Sequence, residues 1–183
     1  MKNLILSIFI VTFSLNSYAQ NNSIFDKFED YDDVTTVVVT QKAFKMLGKI
    51  SNDSEEGKEF NNLVSGLENL KVFTTEDVKV ASEMQATFNS YLKKSKLSEL
   101  MRVKDKDANV KIYVKEGKDD DHVSEFLMLV NEINANEKNS REHDNPEVVI
   151  ISLTGDIDLN NISKLTKEMN IPGGEHMEKA EKK

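Results

Sequence analysis

The stretch Val110-Lys111-Ile112-Tyr113-Val114-Lys115-Glu116-Gly117-Lys118-Asp119-Asp120-Asp121-His122-Val123-Ser124-Glu125-Phe126-Leu127-Met128-Leu129-Val130 decides the fold class. Val110, Ile112 and Val114 alternate with Lys111, Tyr113 and Lys115, the period of a strand with one buried and one partly wet face. Gly117 to Asp121 is turn material, so the next apolar run returns beside the first. In that run Phe126 to Val130 are apolar at every position, as a strand covered on both faces requires. The spacing predicts an antiparallel hairpin with a central strand.

Two more runs extend it. Leu100 to Val103 precedes the hairpin and Val148 to Leu153 follows it, each rich in large or β-branched apolar residues. The four runs read as an antiparallel meander. Upstream the pattern mixes. Thr35 to Thr40 is β-branched throughout and reads as a strand, and Leu70 to Thr74 reads as another. Ala43, Phe44, Met46 and Leu47 belong to a helix ended by Gly48, and Ser51 to Ser54 offers caps for a second helix. There Phe60, Leu63, Val64 and Leu67 keep the i, i+3, i+4, i+7 spacing of one buried stripe. Thr75 is placed to cap a third helix striped by Val80, Ala81, Met84, Phe88, Tyr91 and Leu92. Phe25, Phe28 and Tyr31 recur every third residue, and a short helical turn there pins the N-terminal end of the domain to the core.

Thr154-Gly155-Asp156 reads as a turn from strand to helix, with Asp158 as N-cap and Leu159, Ile162, Leu165 and Met169 as an inward stripe. Pro172-Gly173-Gly174 stops that helix. The fold class expected is α+β: a two-layer sandwich with a mostly antiparallel sheet of about six strands and amphipathic helices packed mainly on one face. No repeat or linker divides the chain, so residues 20–170 are expected to form a single domain, followed by a disordered charged tail over 171–183. The polar stretch from Asn134 to Asn145 is expected to be a mobile insertion.

Met1 to Ala19 carries one basic residue, Lys2, then an uncharged apolar run from Leu4 to Leu15, then Ser17-Tyr18-Ala19. That order predicts a cleavable signal peptide cut near Ala19 and a periplasmic or secreted protein. The apolar run is too short to span a bilayer, which takes roughly 20 residues. With no cysteine in the chain there is no acceptor for a lipid anchor, no disulfide and no thiolate metal site. The formal charge is −8, with acids and bases interspersed, which disfavours nucleic acid and anionic lipid as partners.

Beyond these patterns, Phe25-Asp26-Lys27-Phe28, the strand Thr35 to Thr40, Glu99-Leu100-Met101-Arg102-Val103-Lys104, Val110 to Lys115 and Ile150-Ile151-Ser152-Leu153-Thr154-Gly155-Asp156-Ile157-Asp158-Leu159 together resemble the DUF4252 family, exported Bacteroidetes domains of unknown function. The likeness runs from about Ile24 to Met169. It implies an envelope location and a fold, and it supplies no reaction and no catalytic residues.

The chemistry-bearing residues do not form a familiar site. His122, His143 and His176 share no metal-ligand spacing, so no metal is expected. Asp119-Asp120-Asp121 with Glu116 and Gly117 lacks the alternating acids and terminal glutamate of a calcium loop and reads as a charged hairpin tip. Asp53, Glu55, Glu56 and Glu59 suit the start of a helix. There is no nucleophile elbow, phosphate loop or dinucleotide fingerprint, so neither a cofactor nor catalysis is expected.

What remains is surface. With Val149, Ile151 and Leu153 facing the helices, Val148 and Ile150 point to the other sheet face, where Tyr113, Phe126 and Met128 join them in a candidate partner-binding patch. A cover from the final helix or the N-terminal segment is the competing expectation. The leading reading is a non-catalytic exported interaction domain that binds another envelope protein or itself. The alternatives are a small-ligand carrier, with its ligand near Phe60, Met84 and Phe88, and less favoured, a hydrolase-type enzyme.

Overall fold

The structure, a computed structural model, describes residues 23–50, 55–104, 108–132 and 147–162. The signal-like segment, the stretch from Asn134 to Asn145, His143, His176 and the charged tail lie outside the described residues, as does the final helix beyond Ile162.

A 3-10 helix at Asp26–Asp30 leads into strand β1 (Thr35–Thr40), helices α1 (Gln41–Ile50) and α2 (Glu55–Val64), strand β2 (Leu67–Thr75) and helix α3 (Val78–Lys94). Strands β3 (Ser98–Lys104), β4 (Ala108–Glu116), β5 (His122–Glu132) and β6 (Val148–Asp158) follow, with a 3-10 turn at Leu159–Asn161. All six strands form one sheet in the order β1-β2-β6-β5-β4-β3, antiparallel throughout. The expected α+β sandwich and the β3 to β6 meander are both present, and β2 joins the meander by pairing with β6.

Strand alternation divides the core into two layers, one on each side of the sheet. One holds Leu70, Val72, Ile112, Phe126, Met128, Val149, Ile151 and Leu153 with Phe44 of α1 and Val64 of α2. The other holds Phe73, Leu127, Leu129, Val148 and Ile150 with Ala81, Met84 and Phe88 of α3 and Phe25 and Phe28 of the N-terminal turn. Thus α3 and the first 3-10 turn cover one face, and α1, with α2 packed against it, covers the β1–β2 side of the other. Phe126 to Val130 are all buried, as two-sided cover demands.

Four local readings are revised. Gly48 lies within α1 instead of ending it, the helix running on to Ile50. Leu67 opens β2 instead of closing the α2 stripe, because Ser65 N–H ends the helix on the Asn61 carbonyl and Leu67 pairs with Gly155. The cap of α3 is Asp77, whose carboxylate accepts from Val80 N–H at 2.7 Å. Thr75 stands one step back, its hydroxyl donating to the Asp33 carbonyl at 2.7 Å and accepting from Asp77 N–H. Finally, Thr154-Gly155-Asp156 does not leave the sheet. Gly155 takes φ +130 within β6, β2 shifts register between Leu67 and Asn69, and the strand continues to Asp158. A glycine with positive φ serves a bulge as well as a turn, and here the backbone hydrogen bonds of β2 decide for the bulge.

The N-terminal turn is tied down twice. Phe25 and Phe28 pack on Phe73 with ring centroids 6.2 and 6.4 Å apart, and Phe25 meets Tyr91 edge-on at 5.8 Å. Lys71, on the same face of β2, sends its ammonium to Asp26 at 2.5 Å and Glu29 at 2.9 Å. Its side chain is 11% exposed, so burial works against the charge; the hydrogen bonds and charges of the two carboxylates outweigh that and lift Lys71 above the usual lysine range.

Candidate functional site

The five residues expected to form one exposed patch do not lie together. Cross-strand partners share a face, and the register pairs Met128 with Ile151 and Leu129 with Ile150. Phe126 and Met128 therefore sit with Ile151 in one core layer, while Val148, Ile150 and Tyr113 belong to the layer under α3. Phe126, Met128, Val148 and Ile150 are buried. The patch reading fails on register and on burial: Val148 and Ile150 are covered by α3 together with Phe25 and Phe28 of the N-terminal segment, while the final helix weighed as a cover lies outside the described residues beyond Ile162. The candidate ligand space near Phe60, Met84 and Phe88 is divided in the same way, with Phe60 against one layer and Met84 and Phe88 sealed in the other.

Tyr113 is the partly exposed member. Its hydroxyl donates to Glu99 at 3.1 Å, and Arg102 reaches the same carboxylate at 2.6 Å. Burial and this hydrogen bond push the Tyr113 phenol up, and the Arg102 hydrogen bond holds Glu99 below its usual range.

Two features remain that sequence reasoning did not assemble. The first is a polar cleft of about 280 Å³ at the end of the sheet, between the α2–β2 connection, the β4–β5 turn and the end of β6. Lys118 donates to Asp156 at 2.7 Å, and His122 Nδ1 lies 2.6 Å from Asp119, with its Nε2 4.0 Å from Asp156. The His122 hydrogen bond draws Asp119 below the ordinary carboxylate range, and the Asp156 hydrogen bond lifts Lys118. Asp158 takes the Asn160 and Asn161 donors. The cleft's charges thus satisfy one another and fasten the hairpin turn to β6. Among the described residues no group of three or more His, Asp and Glu side chains converges as metal ligands. His122 beside its acidic turn was legible in the sequence; its approach to Asp156 was not, because the two are joined only by sheet register.

The second feature is an open strand edge. β1 and β3 are the two outer strands, and they differ sharply. β3 carries Glu99, Arg102 and Lys104 and is offset by a register shift between Glu99 and Met101, the devices that protect an edge. β1, Thr35-Thr36-Val37-Val38-Val39-Thr40, carries no charge and no proline, and pairs with β2 without a shift along its length. An antiparallel outer strand turns every second residue's N–H and C=O away from its neighbour, so among the described residues β1 presents a free ladder. Side chains at this edge are apolar on both faces: Val37 is 48% and Val38 43% exposed, and Met46 and Leu47 of the following helix are exposed too. Sequence reading identified this strand but not its outer position, which depends on β2 pairing with β6.

No helix among the described residues is long and apolar enough to cross a membrane. A family model described as a domain of unknown function, DUF4252, matches residues 28–165, most of the chain. No curated protein and no solved structure matches it.

Proposed function

Since the chain belongs to the DUF4252 family of domains of unknown function, we propose from its surface that it is a non-catalytic, exported interaction domain that takes up a protein strand along the edge of β1. The observation that carries this reading is the contrast between the two outer strands, one charged and offset, the other uncharged, regular and flanked by exposed valines. Strand addition draws affinity from main-chain hydrogen bonds and specificity from alternate side chains, and β1 offers both. Export, to the periplasm or outside the cell, is supported by the signal-like order of Met1 to Ala19. The absence of any familiar catalytic motif, and the mutual pairing of Lys118, Asp156, His122 and Asp119, favour binding over chemistry.

The test is photo-crosslinking in intact cells from a reactive residue at Val38, compared with the same probe at exposed Lys93 on α3. A defined adduct from Val38 alone, abolished when Val37 is changed to Lys, is expected. Equal, diffuse labelling from both positions would remove the β1 edge as the interacting surface.

A further inference from the structure

We infer that the strand received by β1 is the β1 of a second copy of this chain, paired antiparallel about a two-fold axis so that two six-stranded sheets become one. This deepens the reading of β1 as the interacting edge and rests on it.

The charges on either side of β1 point to that occupant. Asp32 and Asp33 stand just before the strand, with Asp30 behind them, and Lys42 and Lys45 stand just after it, in the first turns of α1; all are exposed. Among the described residues none of these side chains is in an ion pair or side-chain hydrogen bond of its own. Antiparallel pairing brings the beginning of one strand to the end of the other. The acidic approach of each chain is thereby set beside the basic exit of its mate, twice over, once at each end of the interface. Parallel pairing would instead set acid beside acid and base beside base, which costs affinity.

The strand itself meets the requirements of the axis. A two-fold perpendicular to the sheet keeps each residue on its own face, so only residues of equal parity can pair. The registers that retain the whole valine run put Val37 or Val38 on the axis. With Val38 there, Val37 lies across from the second copy's Val39, and Thr36 across from its Thr40. No charged residue meets its own image, the usual obstacle to self-pairing of an edge. A contact of this kind is isologous and closes at two chains, because among the described residues each chain has one such edge. The charges of β3 keep the other edge out of the assembly.

Sedimentation equilibrium tests this on the full protein as the producing cell processes it. The chain is expected to be dimeric at about 100 µM, a concentration at which a Kd of about 10 µM leaves most chains paired. Two variants separate geometry from stickiness: Asp32→Lys with Asp33→Lys, which makes both ends basic, and Lys42→Glu with Lys45→Glu, which makes both ends acidic. Each alone is expected to dimerise at least about tenfold more weakly, and an equimolar mixture of the two to regain a dimer containing one of each. Circular dichroism melts control for folding, since all four positions are exposed. A wild-type monomer at that concentration, dimers unaffected by either variant, or failure of the mixture to recover would each overturn self-pairing. If the wild type is monomeric and the Val38 crosslink still captures a different protein, self-pairing falls and the β1 interaction edge stands; if the crosslink also fails, both fall.

Discussion

Gly66 and Gly155 approach each other across the β2–β6 pairing so closely that a Cβ built on Gly155 would lie 2.4 Å from the Gly66 carbonyl oxygen. That oxygen accepts the Asp156 N–H at 2.8 Å, and Gly155 holds φ +130 to allow it. Replacing Gly155 with Ala forces a left-handed conformation on an L residue and drives a methyl into backbone that cannot withdraw. A loss of about 3 kcal/mol is expected from the strain and overpacking together. Urea denaturation gives the value; a cost under about 1 kcal/mol would mean that the bulge relaxes freely.

Lys71 and its two carboxylates make an asymmetric prediction. Removing both acids, as Asp26→Asn with Glu29→Gln, leaves a mostly buried ammonium without a counter-charge and is expected to cost about 2 kcal/mol. Lys71→Met instead frees two carboxylates that water already reaches, and its methylene body still packs, so it should cost less than about 1 kcal/mol. Chemical denaturation of the two variants side by side checks the order, and the reverse order would contradict it.

The same lysine and Tyr91 set the alkaline limit. The folded pKa of Lys71 lies above its unfolded value, so its contribution is complete below the unfolded lysine pKa of about 10.4 and is lost as pH rises through the folded one. Tyr91 is pushed up by burial and by donating to Glu125 at 2.7 Å, so its contribution is complete below the unfolded tyrosine pKa of about 10 and fades above it. Stability is expected to be level up to about pH 10 on account of these groups and to fall beyond. Tyrosinate absorbance and circular dichroism followed together should show Tyr91 ionising only as the fold is lost. In Tyr91→Phe that delayed absorbance disappears; a native fold with every tyrosine already ionised would refute the assignment.

Asp77 holds the first turn of α3 through Val80 N–H. Asp77→Ala should cost about 1 kcal/mol, and Asp77→Ser should recover most of it, since either side chain offers the acceptor that the open N–H needs. Thermal melts distinguish the pair. Equal loss in both would show that the carboxylate does something other than cap.

Local rules carried the sequence reading where neighbours in sequence are neighbours in space. The β3 to β6 meander and the α3 stripe are of that kind, whereas Phe25 and Phe28 show their spacing in sequence but not their distant partner Phe73. Pairings between distant segments were not legible. β2 lies against β6, and nothing in Leu67 to Thr75 announces that partner. The buried patch failed for a related reason. Tyr113, Phe126, Met128, Val148 and Ile150 share a face only under one assumed register; a single residue of register decides the face, and Met128 meets Ile151 rather than Ile150. The open edge of β1 follows from the same long-range pairing, since a strand is an edge only by what it lacks on one side.

The place of β6 between β2 and β5 has a consequence for how the chain matures. Strands β1 and β2 on one side, and β3, β4 and β5 on the other, are joined into a sheet only when Val148–Asp158 threads between them. Pairings at such sequence separation are slow to form, because the loop must close before any contact rewards it. A ribosome that has yet to deliver Asp158 therefore holds two unfinished half-sheets.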